Sequence, residues 1–340
     1  MYYLITTNTL RTLETHAQRY FHDPRLVAAL TFQTMYLGLA PSDAPAVYSL
    51  LPYTEIAEGI WFPRGGMYRI PIALRDVACE LGVHIRLRTK ARRLVNRNRR
   101  VQSVELDSGE MLDADIVVTN ADLPYAYANL VPAERRGRFT DRTLRRLDYG
   151  SSAFLLYLGV DREYPELHHH DVYLSGDIRG NFDAIFRQGV LPRDPSIYTC
   201  VASRTDPSLA PEGGEAIYVL VPVPSLAGHV DWRREGAAFK ELVFRRLADV
   251  DLTDLREHIV VERTYTPEDF VHDYNITNGS AFGLSHSFRQ VGYMRPNNRA
   301  RDLDNLYFVG ASTVPGGGVP MVLIGSRLVA ERVQGDWGSV

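Results

Sequence analysis

The residues best placed to do chemistry lie near the C-terminal end. In NLYFVGASTVPGGGVPMVLIGSRLVAERV, an apolar strand from Leu306 to Val309 runs into a glycine-rich turn, Gly310 to Gly318, and then into a helix from about Met321 to Gln334. A strand that feeds a helix through such a turn directs backbone N–H groups and the helix dipole at one point, where an anion binds. Gly316, Gly317 and Gly318 lack the Cβ atoms that would hold a flat ring or a pyrophosphate off the backbone. A tight strand-to-helix connection produces the same pattern with no ligand, and on the residues alone the two readings stand even.

Other candidates carry less. No G-x-G-x-x-G follows any expected strand and no G-x-x-x-x-G-K-[ST] occurs, so the usual dinucleotide fingerprint is not encoded. Gly65 and Gly66 in WFPRGGMY let a backbone approach a ligand, but they read more simply as the start of a helix. His168, His169 and His170 are consecutive and cannot all point one way, so they are expected to form a loop, with no metal site. Cys79 and Cys200 stand far apart, which supports neither a disulfide nor a cysteine-based zinc site. Ser285 and His286 lack the G-x-S-x-G elbow of a hydrolase. Arg11 sits among apolar neighbours near a helix start, where an arginine usually snorkels to solvent.

The elements that must position these residues follow from periodicity. Thr9 to Leu39 reads as two helices broken at His22–Pro24, with Asp23 as N-cap and Pro24 in the first turn. Pro41, Pro45 and Pro52 mark an irregular connector, with room for a short helix over 44–53. A helix is predicted over 70–81, then strands over 84–89, 91–96, 101–106 and 114–119, the last nearly all apolar and expected to be buried on both faces of a sheet. The middle, 151–293, is strand-rich, with one clear helix at about 232–248.

Composition limits the function. The chain has 340 residues, 45% hydrophobic, and its 38 basic and 41 acidic side chains leave a formal net charge of -3. That length suggests two domains or one large domain with an insertion. The near-neutral balance excludes nucleic acid as an expected partner. Eight Lys or Arg fall within 86–100, but five acids follow at once, as in a charge-balanced β meander. The opening residues do not read as a secretory leader, no apolar run is long enough to span a membrane, and the paucity of cysteine points to a reducing, cytoplasmic compartment.

Assembled, these residues resemble the bacterial and fungal type of phytoene desaturase, flavin-dependent carotenoid desaturases in the wider group of the amine oxidases. The resemblance covers nearly the whole chain: GIWFPRGG, VVTNAD, LAPEGGEAIYVLVPVP, NGSAFGLSHSFRQ, MRPNNR and the terminal NLYFVGASTVPGGGVP followed by Gly325. Val314 departs from the His, Gln or Thr usual before the Pro-Gly of that last signature, whereas Thr313, Pro315 and Gly316 fit. Members also begin with a strand, a G-x-G-x-x-G turn and a helix, so the resemblance implies the C-terminal part of such a protein.

The resemblance implies a mixed α/β, Rossmann-like FAD-binding fold, incomplete at its N-terminus, with a mixed-sheet substrate domain and a helical cap. It divides the chain into 1–60 (cap facing the membrane), 61–150 and 297–340 (FAD-binding) and 151–296 (substrate). It places Gly310 and Ala311 beside the phosphates and ribityl chain of FAD. Gly318, Val319, Met321 and Val322 fall near the flavin ring, Ala91 against the adenine, and Asn120 and Ala121 close by. Arg11 falls on the position of an arginine near the flavin and is the catalytic candidate. The implied substrate is a long polyene, phytoene or a related carotenoid, met at a membrane surface to which the protein is peripherally attached, with a quinone or oxygen as electron acceptor. Two alternatives remain open: a carotenoid oxidase or ketolase on the same scaffold, and a non-catalytic fragment without a complete FAD site.

Overall fold

A computed structural model describes residues 11–250 and 252–338. Thr9 and Leu10, where the first helix is predicted to begin, lie outside the described residues. Helix α1 (Leu13–Ala17) is capped by the Thr12 hydroxyl, which accepts from Thr15 N–H at 3.3 Å. Asp23 caps α2 (Pro24–Thr31): its carboxylate accepts from Arg25 N–H at 2.8 Å, and Pro24 sits where the missing N–H forfeits no bond. Helix α3 (Leu50–Glu58) runs further than the short helix expected. Pro52 stops it no earlier because it falls in the first turn, whose N–H groups have no intrahelical partner.

Helix α4 (Arg69–Glu80) forms where the apolar spacing places it. The strand predicted over 84–89 does not form, because Arg88 adopts φ +54° and breaks the extended run. Strands β1 (Ala91–Arg97), β2 (Arg100–Leu106) and β3 (Met111–Asp113) make an antiparallel meander. Then come β4 (Val117–Thr119), β5 (Ser152–Val160), β6 (His170–Tyr173), β7 (Ile197–Cys200), β8 (Glu215–Val223), helix α5 (Trp232–Ala248), β9 (Ile259–Tyr265), helix α6 (Pro267–Tyr274), β10 (Leu306–Phe308) and helix α7 (Val319–Trp337).

The chain packs as two units, Met1–Ser49 with Arg86–Gly150 and Phe270–Val340, and Leu50–Ile85 with Ser151–Asp269. These packing units cut the chain differently from the functional division the resemblance implies: residues 1–60 fall in both, 61–85 pack with the strand-rich unit and 270–296 with the other. The Arg64–Gly66 turn joins the strand-rich unit, where Gly65 N–H donates to the Asp206 carboxylate at 2.6 Å. The segment after Phe270 joins the other unit, where Thr277 N–H donates to Asp122 at 3.0 Å.

In the first unit β4 and β10 pair in parallel, Val117 opposite Leu306 and Thr119 opposite Phe308. Among the described residues this sheet has two strands, and Val118 is 49% exposed. The expectation that β4 is buried on both faces is thus corrected: Val117 and Thr119 face the packed side, and the face that carries Val118 is left largely uncovered. Buried Asn305 ties the meander to this sheet by accepting from Val101 N–H and donating to the carbonyls of Val101 and Asp115, each at 2.8 Å.

The second unit is an antiparallel sheet in the order β6-β7-β8-β5-β9. Strand β9 is absent from the sequence reading because Glu262 and Arg263 mask its alternation. Every second residue of β5 and β8 packs on α5: Phe154, Leu156, Ile217, Val219 and Val221 meet Trp232, Phe239, Val243 and Leu247. The opposite face carries aromatic rings, with Tyr157 paired to Tyr218 at 5.2 Å between ring centres and Tyr198 6.2 Å from Tyr218.

Candidate functional site

The glycine turn links the C-terminal end of β10 to α7, the end at which open parallel sheets bind ligands. Val309 N–H donates to Thr119 O at 3.0 Å, so β10 and β4 finish side by side and Gly310 lies against Asn120. Gly310 has φ +110°, and a Cβ there would lie 2.6 Å from Asn120 Oδ1. Ala121 N–H donates to the Thr119 hydroxyl, and Asp122 accepts from the hydroxyls of Ser312 at 2.5 Å and Thr277 at 2.6 Å. Four of the expected cofactor residues, Asn120, Ala121, Gly310 and Ala311, are therefore brought together by two strand ends.

A buried cation fixes the turn from behind. Arg295, 3% exposed, donates to five backbone carbonyls, those of Leu284, Ser285, Gln290, Ala311 and Thr313. Burial lowers its pKa to about 10, so it stays charged near neutrality. Asn298, wholly buried, donates to Phe308 O at 2.9 Å, Thr313 Oγ1 at 3.1 Å and Val314 O at 3.0 Å, while Arg332 donates to its Oδ1. These contacts satisfy carbonyls that a tight turn cannot pair within itself.

His286 holds the glycine triplet. It is 4% exposed, and its Nε2 accepts from Gly317 N–H at 3.1 Å. Ser285 does not pair with it; its hydroxyl accepts from Ser287 N–H instead, so no serine–histidine dyad forms here. Burial, with the Arg295 charge adding to it, pushes the His286 pKa from 6.5 down to about 3, although a backbone contact at Leu37 opposes this. In the unfolded chain the imidazole protonates at its ordinary value, so its contribution to stability is complete above about 6.5 and is withdrawn as pH falls toward 3. By about pH 4.5 the loss is on the order of 3 kcal/mol, at roughly 1.4 kcal/mol per tenfold in proton binding. His286→Gln is therefore expected to flatten the acid limb of a urea-stability profile between about pH 6.5 and 4.5. An unaltered limb would show that His286 takes up its proton without unfolding.

The remaining candidates separate. Gly318 precedes α7 with φ +107°, has open space where a Cβ would stand, and offers no side-chain cap. The first amides of a nineteen-residue helix are thus left to a ligand or to water. Val319 and Met321 are exposed beside it, and Val322 N–H closes the first turn on Gly318 O at 2.9 Å. Ala91 and Asn120 line one cavity of about 250 Å3 together with Val117, Thr119 and Phe308. Arg11 lies exposed ahead of α1, its carbonyl accepting from Ala46 N–H at 2.9 Å, and takes no part in the bonds that hold the turn.

Open backbone at Gly318, an uncapped helix end and the neighbouring cavity suit a flat ring and a charged phosphate. The sequence reading missed Arg295, Asn298 and Asp122 as site residues and met His286 only as a hydrolase candidate. MRPNNR contains both Arg295 and Asn298, but polarity alone does not separate a buried arginine from a solvated one.

Residues 6–334 match the model of the family described as flavin containing amine oxidoreductase. A zeta-carotene-forming phytoene desaturase of Myxococcus xanthus is 48% identical over 324 residues, 95% of this chain and 62% of the relative. An all-trans-zeta-carotene desaturase of the same organism is 39% identical, covering 96% of this chain and 63% of its own length. A 4,4'-diapolycopene oxygenase of Methylomonas sp is 37% identical, with coverage of 98% and 67%. The chain thus spans less than two thirds of the first two relatives. An oxidoreductase from Methanosarcina mazei superposes with TM-score 0.63 at 18% identity, over 97% of this chain and 71% of that one, a likeness of fold. A redesigned putrescine oxidase gives 0.54 at 13%, covering 97% and 69%.

Proposed function

The chain belongs to the flavin-containing amine oxidoreductases, and from that premise we propose that it acts in the FAD-dependent desaturation of a long polyene, phytoene or a related carotenoid. The observation that carries the flavin half is the pairing of the open glycine turn, fixed by Arg295 and His286, with the uncapped N-terminus of α7. FAD is the cofactor of this family's fold, and held here it would supply the hydride acceptor for a desaturation in which the other hydrogen is lost as a proton. The chain's own part is to hold and orient. Gly310 and Ala311 would meet phosphate and ribityl oxygens, and Gly318, Val319, Met321 and Val322 the ring. Ala91 would meet the adenine, with Asn120 and Ala121 beside it.

The substrate half rests on the named relatives and on the second unit, whose sheet face carries exposed Tyr157 and half-buried Tyr218 and Tyr198 in a row suited to a flat conjugated chain. Leu50, Tyr53 and Ile56 form an exposed stripe on α3, Ile56 at 77%, which supports attachment to a membrane surface. No helix among the described residues is long and apolar enough to cross a membrane. The proposed electron acceptor is a quinone or oxygen.

The test is product analysis with phytoene after reconstitution with FAD. New conjugated double bonds, seen as red-shifted absorption, support desaturation. Oxygen gained by the product would favour the carotenoid oxidase or ketolase reading, which the Methylomonas relative brings forward. No product and no bound flavin would favour a non-catalytic role. Arg11→Ala is expected to lower turnover on the order of 100-fold, as loss of one charge-stabilising donor does, with flavin content unchanged. Unchanged turnover removes Arg11 from catalysis. Ile56→Asp is expected to reduce co-flotation with liposomes.

A further inference from the structure

In the second unit, two imidazoles and a thiol converge where the flavin and polyene reading does not call for them. We propose that His169, His170 and Cys200 form a binding site for a transition-metal ion, Zn(II) first among them. His170 opens β6 directly opposite Cys200 of β7, so both side chains leave the same face of the sheet. His169 precedes the strand and escapes the alternation that would send it to the other face. Its ring stacks on that of His170 with centres 4.2 Å apart. One ligand atom from each residue lies within 4.8 Å of the other two, a triangle that small side-chain rotations bring to metal–ligand distances of about 2.0–2.3 Å. The geometric objection to consecutive histidines concerns three ligands from one segment, and here a neighbouring strand supplies the third.

The surroundings fit this role. Tyr198 OH lies 2.7 Å from His170 Nδ1 and also bonds the Cys200 thiol. The Nδ1 of His169 pairs with the Thr205 hydroxyl, which leaves its Nε2, buried and without a hydrogen-bond partner, as the nitrogen to ligate. Two imidazoles with a thiolate suit zinc or copper, whereas magnesium and calcium prefer oxygen. On binding, the Cys200 S–H bond breaks and a sulfur–metal bond forms. The proton goes to solvent, no electron changes hands, and water completes the tetrahedron.

Equilibrium dialysis of the full chain against Zn(II), and Co(II) as an absorbing substitute, tests the site in a Cys79→Ser background, since Cys79 is exposed. One equivalent of Zn(II) is expected, with a near-ultraviolet cobalt–thiolate band. Cys200→Ser should abolish the band and weaken Zn(II) by at least about 100-fold, and Tyr198→Phe, a positioning residue, by about 10-fold with the band kept. His168→Gln should change nothing, because His168 is exposed and bonded to Asp171. No uptake by the parent, or uptake without the band, overturns the proposal even if a variant fails to fold.

Discussion

Arg295→Ala is expected to destabilise the protein by about 3–5 kcal/mol, as follows when several buried acceptors lose their shared donor at once. The cause is the acceptors left behind. Five carbonyls from Leu284, Ser285, Gln290, Ala311 and Thr313 converge on one guanidinium. A buried carbonyl without a donor costs roughly 1–3 kcal/mol before relaxation. Arg295→Lys should recover only part of the loss, since an ammonium has three donors and no planar fork. Urea unfolding reads the difference, and flavin content should fall in parallel because Ala311 and Thr313 belong to the turn. A midpoint equal to that of the parent would show that water replaces the guanidinium without penalty.

Gly316→Val is expected to have the second large effect, about 3 kcal/mol or more from strain and a lost hydrogen bond. A Cβ at Gly316 would stand 2.5 Å from His286 Nε2, and φ is +140°, a conformation that β-branched residues avoid. Relief requires moving His286, which breaks its bond from Gly317 N–H. Gly318→Ala provides the contrast: open space surrounds its Cβ position, so only its φ of +107° opposes the change. The Gly316 variant should melt early, whereas the Gly318 variant should keep most of its stability and lose flavin, because the added methyl stands where the ring is proposed to approach. If the two variants behave alike in both assays, the turn does not divide into a pinned part and an open part.

Legibility in the sequence followed the range of the determining interactions. Helices α2, α4, α5 and α7 were readable because capping and apolar spacing act within a few residues: Asp23 before Pro24, Gly82 after Leu81, Asp231 before Trp232. Strands β5 and β8 were readable from their β-branched and aromatic runs. The 84–89 strand failed because Arg88 turns the backbone at φ +54°, which the β-branched and apolar residue types around it do not announce. Strand β9 was missed because only its partner β5 gives Glu262 and Arg263 a place in a sheet.

The sequence by itself determined the glycine turn between an apolar strand and a helix, because that chemistry is written in consecutive residues. Through long matching motifs it also determined the family. Tertiary structure alone decided what makes the turn rigid: Arg295, Asn298, His286 and Asp122 act on carbonyls, amides and hydroxyls up to 190 positions away. It likewise decided that His169, His170 and Cys200 meet, since β6 and β7 set their register. The physical reason is the same in both cases. A buried polar group is defined by the partners that replace water around it, and those partners are chosen by packing across the chain.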